Sequence, residues 1–259
     1  MICPRAAAGL KHMKTAVEDH MTKTVLLDNV EHHDLRVIVR PGGGDHVNQT
    51  LIFATEFAEA HRDYPILFRR SDNGAFHAIV LLGLDRDENL FIEGNAWQTR
   101  YVPAMLARGP FVIGMPAGDP AAGPRIHVDL DDPRISRSEG EPLFMPQGGN
   151  APRLERIATV LRTLHLGAGT NDAVFNAFQA AGLLAPLKIH LRIDATLDYD
   201  LPDFFSVSSE ALAQLDGATL EQLNRAGFLA LAFHAVNSLA NLNRVMELKQ
   251  RRRQGLRTS

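Results

Sequence analysis

The chain has 259 residues, 45% of them hydrophobic and 22% charged, and its net charge is −3. A chain of that size can bury a core without staples, its composition is ordinary for a globular protein, and its charge gives no pull toward nucleic acid. A single cysteine, Cys3, excludes an intramolecular disulfide framework and a cluster of cysteine metal ligands.

Residues 1–20 lack the apolar run of a secretory signal. They are expected to be a disordered or mis-called extension, with Met21 as the natural start, because strand-like sequence begins just after it at Thr24-Val25-Leu26-Leu27. A cytoplasmic location follows as an expectation. No apolar run is long enough to suggest a membrane span.

Leu35–Arg40 reads as a strand ending in Pro41-Gly42-Gly43-Gly44. The glycines lack the spacing and the Lys-Ser/Thr ending of a phosphate loop, so a flexible turn is expected. Phe53–Arg62 suits either a strand or a short helix. Ile66–Phe68 follows as a strand. Ala78–Leu82 is apolar throughout, which predicts a central strand covered on both faces. Leu90–Ile92 should return as its partner after the polar turn 85–89. Pro103 opens a short helix, Gly109-Pro110 stops it, and Phe111–Met115 is a further strand. Residues 116–124 form a loop. Ile126, Val128 and Leu130 then alternate with Arg125, His127, Asp129 and Asp131, the pattern of a half-buried strand.

The second half is helical. Asn150 with Pro152 predicts a helix start, with Leu154, Ile157, Leu161 and Leu164 on one face and Gly167 as its close. A second helix carries Val174, Phe175 and Phe178. Leu187, Ile189, Leu191 and Ile193 alternate with Lys188, His190, Arg192 and Asp194 as a strand. Ser208 or Ser209 caps a helix, Thr219–Ala226 forms another, and Phe228–Gln250 reads as the longest. Its basic end, Lys249 to Arg253, suits the negative pole of the helix dipole. The fold class is α+β, with a mostly antiparallel sheet in the N-terminal half and helices gathered in the C-terminal half. One domain is expected over residues 21–250, β-rich over 21–135 and helix-rich over 150–250, with a basic, solvated tail at 251–259.

No nucleophile elbow is present. His127 and Asp129 would share a strand face, and with a distal histidine they match a two-His-one-carboxylate iron site. His190 is the distal candidate and Arg192 a co-substrate anchor, yet His190 lies between Lys188 and Arg192. His32-His33-Asp34 suits a surface or capping role, and His234 a place in a core. Trp97 and Tyr101, with Phe91 and Phe111, suit core packing. The alternative is a binding surface for a protein or peptide, formed by Trp97 and Tyr101 with Arg100 and Asn95 at its rim. No cofactor is indicated.

The chain resembles the SapC family of bacterial, surface-layer-associated proteins. The resemblance rests on Gly94-Asn95-Ala96-Trp97 followed by Arg100-Tyr101-Val102-Pro103, on His127-Val128-Asp129 leading to Pro133-Arg134-Ile135-Ser136, on Gly140-Glu141-Pro142-Leu143-Phe144, and on Gly148-Gly149-Asn150-Ala151-Pro152-Arg153-Leu154-Glu155-Arg156. It runs from about Met21 to Lys249. It implies a structural or accessory role associated with the cell surface, brings no established catalytic activity, and transfers no catalytic residues.

Overall fold

A computed structural model describes residues 24–114 and 123–257. The extension before Met21, Cys3 and most of the 116–124 loop lie outside the described residues. The chain forms two compact units: Met1–Val39 with Arg108–Leu161, and Arg40–Ala107 with Arg162–Ser259.

The first unit holds two small antiparallel sheets. Strands β1 (Thr24–Leu26), β8 (Phe111–Gly114) and β9 (Arg125–Asp129) form one, with β9 in the centre. Strands β2 (Arg36–Val37), β10 (Ile135–Ser136) and β11 (Glu141–Pro142) form the other, with β2 in the centre. Leu35, Val128 and Leu143 are almost fully buried here.

The second unit is built on a five-stranded antiparallel sheet. It contains β3 (Gln49–Ile52), β4 (Ile66–Arg70), β5 (Phe76–Leu81), β12 (Leu184–Asp194) and β13 (Leu197–Val207), in the order β12-β13-β4-β5-β3. The apolar run around Ala78–Leu82 does form an interior strand, flanked by β4 and β3. Leu90–Ile92 does not return beside it: Leu90 makes one backbone bond to Leu82. Strand β6 (Ile92–Glu93) instead pairs with β7 (Ala96–Trp97). The correction has a local cause. Gly94-Asn95 supplies a two-residue turn, and Gly94 adopts the positive φ that such a turn requires at its first central residue.

Strand β13 was not anticipated. Its sequence, L-D-Y-D-L-P-D-F-F-S-V, carries three acids and a proline. The ladder with β12 accommodates them through a bulge: Leu187 faces Phe204 and Ile189 faces Leu201, so Pro202 and Asp203 together oppose Lys188. Asp203 takes a left-handed φ of 64° there.

Short helices follow Pro103 and the 54–56 turn: α1 (Phe57–Ala60) and α2 (Ala104–Ala107). The two helices expected across Gly167 are one, α3 (Pro152–Ala180), about 43 Å long. Gly167 does not cap it. A β-carbon at Gly167 would lie 2.3 Å from the Phe53 β-carbon and 2.7 Å from Thr55 Oγ1. The residue permits close approach of the helix to the 53–55 turn, and Thr55 Oγ1 donates to the Thr163 carbonyl beside it at 3.1 Å. Further along, Phe175 and Phe178 pack edge-on or tilted against Phe68.

The remaining helices are α4 (Ser209–Ala213), α5 (Gly217–Arg225), α6 (Phe228–Ser238) and α7 (Asn241–Arg257). Ser208 caps α4 and Asp216 caps α5, each side chain accepting a backbone N–H of the first turn. The single long helix expected over 228–250 is broken at Leu239–Ala240, because polar side chains there bind elsewhere. Ser238 Oγ accepts the Ile66 N–H at 2.9 Å, and Asn241 Nδ2 donates to the His61 and Tyr64 carbonyls at 2.7 and 3.1 Å. No helix among the described residues is long and apolar enough to cross a membrane.

Gly167→Ala should destabilise the protein by about 1–3 kcal/mol, the usual cost of overpacking, although alanine is the better helix former. Gly169, two residues on, has open space around it. Gly169→Ala should stabilise by about 0.5–1 kcal/mol. Urea unfolding of the two variants checks both signs.

Candidate functional site

The β6–β7 hairpin and the segment after it bring together the four binding residues expected from the sequence. Glu93, Gly94, Asn95 and Ala96 are exposed at the tip, as is Arg100. Trp97 and Tyr101 are half-buried and pack against the core of the sheet unit. Trp97 thus lies partly in the core and partly at the surface.

This segment is held from beneath by polar groups that the sequence reading did not find. Glu56 is only 1% exposed. Its Oε2 accepts from the Tyr101 hydroxyl at 2.7 Å and from the Ala104 N–H at 2.8 Å, and its Oε1 accepts from the Phe53 N–H at 2.9 Å. Burial pushes its carboxyl above the ordinary value, while the three donors act in the opposite sense. The Tyr101 hydroxyl is raised as well, first by burial and then by the Glu56 charge. Below Tyr101, the Tyr64 hydroxyl lies 2.5 Å from the Tyr101 carbonyl and 2.7 Å from Thr99 Oγ1. Its ring packs edge-on against Phe91, centroids 4.8 Å apart.

Helix α7 clamps the same segment. Arg244 pairs with Asp63 at 2.8 Å and donates to the Gln98 carbonyl at 3.4 Å. Arg252 donates to the Asn89 and Ile92 carbonyls at 3.0 and 3.1 Å. Lys249, 7% exposed, pairs with Asp85 and with Glu88. Within the basic run, Arg251 and Arg252 are exposed as a solvated helix end would be, while Lys249, Arg252 and Arg253 also bond to the protein itself. One signal was available: the acidic turn 85–88 and the basic run 249–253 are complementary in sign.

The proposed metal ligands are placed differently. His127 and Asp129 share one face of β9, as the alternation requires, while Val128 is buried on the other. His127 Nδ1 lies 3.3 Å from the Arg125 carbonyl, and its ring occupies the space left by the missing side chain of Gly114. Asp129 Oδ1 accepts the Asp131 N–H at 3.0 Å. Among the described residues no third ligand joins the pair. The group that does gather three ligand atoms within 4.8 Å is His190, Asp198 and Asp200, all exposed. His190 Nδ1 lies 2.8 Å from Asp200 Oδ1. Lys188 and Arg192 flank His190 on the same face of β12, with Asp198 opposite Arg192 and Asp200 opposite His190 on β13.

Several of the other histidines have structural partners. His32 Nδ1 accepts the Asp28 N–H at 3.1 Å, consistent with the expected capping role. The ring of His234 lies against that of His61, centroids 4.2 Å apart.

Glu56→Gln should destabilise the protein by about 1–3 kcal/mol at pH 8, because an amide N–H₂ would replace an oxygen facing the Ala104 donor. A carboxyl whose folded value is raised binds its proton more tightly in the folded state, so its contribution to stability falls as pH rises from the unfolded value through the folded one. The deficit of Glu56→Gln should therefore be larger at pH 4.5 than at pH 8. Urea unfolding of both proteins at the two pH values measures it, and a pH-independent difference would contradict the buried-carboxylate account.

No curated protein and no solved structure is similar enough to extend this comparison. The family model for SapC matches residues 27–245, a span that includes both the hairpin and the β9 strand, and the chain belongs to the SapC family.

Proposed function

We propose that this chain is an accessory protein that acts by binding, and that the β6–β7 hairpin with Asn95, Trp97, Arg100 and Tyr101 docks a protein or peptide partner. One observation carries this reading. An exposed two-residue turn beside a half-buried tryptophan and an exposed arginine is fixed from below by the Glu56–Tyr101 and Tyr64–Thr99 contacts and by Arg244 and Arg252. A surface held in one conformation before binding loses less entropy on binding. Tryptophan, tyrosine and arginine are also the residues that most often dominate interface energies. The surface-layer association of the family supports a partner among envelope components, with a cytosolic partner as the competing outcome.

Trp97→Ala should keep the fold, because the segment is anchored chiefly through residues 98–104 and Glu56. It should weaken partner capture from native cells by at least about tenfold, the effect of a truncated hot-spot residue. Unchanged capture by a folded variant would remove this surface from consideration. Fractionation of the native cells then separates an envelope partner from a cytosolic one.

A further inference from the structure

Most partly buried arginines of the described chain hold an acid. Arg134 pairs with Asp132 at 2.8 Å, Arg153 with Glu141 at 2.7 Å, Arg244 with Asp63 at 2.8 Å and Arg253 with Asp194 at 3.2 Å. Arg69 differs. It is half-buried on β4, its Nε is out of contact with water, and among the described residues its side chain makes no hydrogen bond or ion pair. Its guanidinium carbon lies 4.1 Å from the ring centroid of Phe204. Asp203, exposed on the β13 bulge, acts on it only through the field. Burial pulls the Arg69 guanidinium below its ordinary value more than Asp203 restores it.

The surroundings of Arg69 are also short of partners. Phe205 faces Phe68 across the β13–β4 ladder, so Phe204 and Ser206 share the opposite face with Arg69. Ser206 is 4% exposed, and its Oγ has no hydrogen-bond partner. His77 stands opposite Arg69 on β5, and its Nδ1 lies 3.3 Å from Ser71 Oγ. Burial, and then the Arg69 charge, hold the His77 imidazole below its ordinary value, so it is neutral near pH 7. In the tautomer in which Ser71 donates to Nδ1, the ring carries its proton on Nε2 as a donor; the 3.3 Å contact fits either direction. Two donors without acceptors, Arg69 Nε and Ser206 Oγ, thus share one sheet face with a neutral histidine, beside a cation that Asp203 compensates only in part.

We propose that the face carrying Arg69 and His77 binds an oxyanion, a carboxylate or phosphate group of a ligand, with the Arg69 guanidinium as its main partner and Ser71 as the residue that positions His77. A planar guanidinium matches the two oxygens of either group. Stacking on Phe204 fixes its plane before the ligand arrives. A half-buried cation that no carboxylate contacts, with Asp203 offsetting its burial only in part, is costly for the free protein, and a bound anion reduces that cost. The site is separate from the Trp97 hairpin and does not depend on the function proposed for it.

The test is a titration of the full-length, ¹⁵N-labelled protein at pH 7 and constant ionic strength, with inorganic phosphate and, separately, with acetate. The signals of the Arg69 Nε–H and the His77 ring are followed. Saturable shifts with a dissociation constant of about 1 mM or tighter are expected for at least one anion. Tighter phosphate binding would identify a phosphorylated ligand, and tighter acetate binding an acidic peptide or small carboxylate. Arg69→Gln should weaken binding at least about tenfold, since the charged pair is lost. Arg69→Lys keeps the charge and the apolar stem, so it guards against misfolding; it should weaken binding about threefold or more through loss of the fork. Shifts linear in concentration for both anions, or equal affinity in Arg69→Lys, would overturn the proposal and leave Arg69 as a stacking residue served by water.

Discussion

The sheet unit depends on one buried carboxylate. Glu56 accepts from a backbone N–H three residues before it, from the hydroxyl of Tyr101 and from the backbone N–H of Ala104. A carboxyl group so far from water is tolerable only when its oxygens find hydrogen-bond partners in this way. Those donors come from separate stretches of chain, so the carboxylate fixes the 53–56 turn, the end of the Trp97 segment and the start of α2 at once. Tyr64 then adds a hydroxyl beneath Tyr101, and the long C-terminal helix adds two arginines. The hairpin at the surface inherits its conformation from these contacts.

Much of the architecture was legible in the sequence because burial writes itself into apolar patterns. The run Ala78–Leu82 read as an interior strand, and the alternation of Leu187 to Ile193 read as a half-buried one; both are so. The α+β class and the gathering of helices toward the C-terminus followed from the same periodicities. Boundaries set by polar side chains or by backbone contact were not legible. Gly167 has the look of a helix end, yet it serves a close approach by Phe53, a residue distant in sequence. Ser238 and Asn241 lie within an unbroken helical pattern, yet their bonds to Ile66, His61 and Tyr64 coincide with the break. Strand β13 hid behind three acids and a proline, although Leu197, Tyr199 and Leu201 did alternate.

The candidate surface divided in the same way. Trp97, Tyr101, Arg100 and Asn95 could be picked by residue type, because large aromatics and arginine stand out in any reading. The group that positions them could not. Glu56 lies in F-A-T-E-F, where a single acid among apolar residues looks like an exposed position on a short helix. Its burial is set by Tyr101 and Ala104, some 45 residues onward, and no local pattern encodes that meeting. The basic run Lys249–Arg253 is exposed at Arg251 and Arg252, as its composition suggests, but the distant acids and carbonyls that Lys249 and Arg252 reach lie more than 150 residues away and leave no local pattern.

Strand β12 closes one side of the five-stranded sheet, and at eleven residues it is a long outer strand. Outer strands offer a template onto which other chains can add, a standing hazard for self-association. The outward alternation Lys188, His190, Arg192 carries charge along this border, and Pro186 removes a backbone donor near its start. Those features make the border a poor template for fibre growth, so the hairpin of β12 and β13 can stay long and exposed without inviting edge-to-edge pairing.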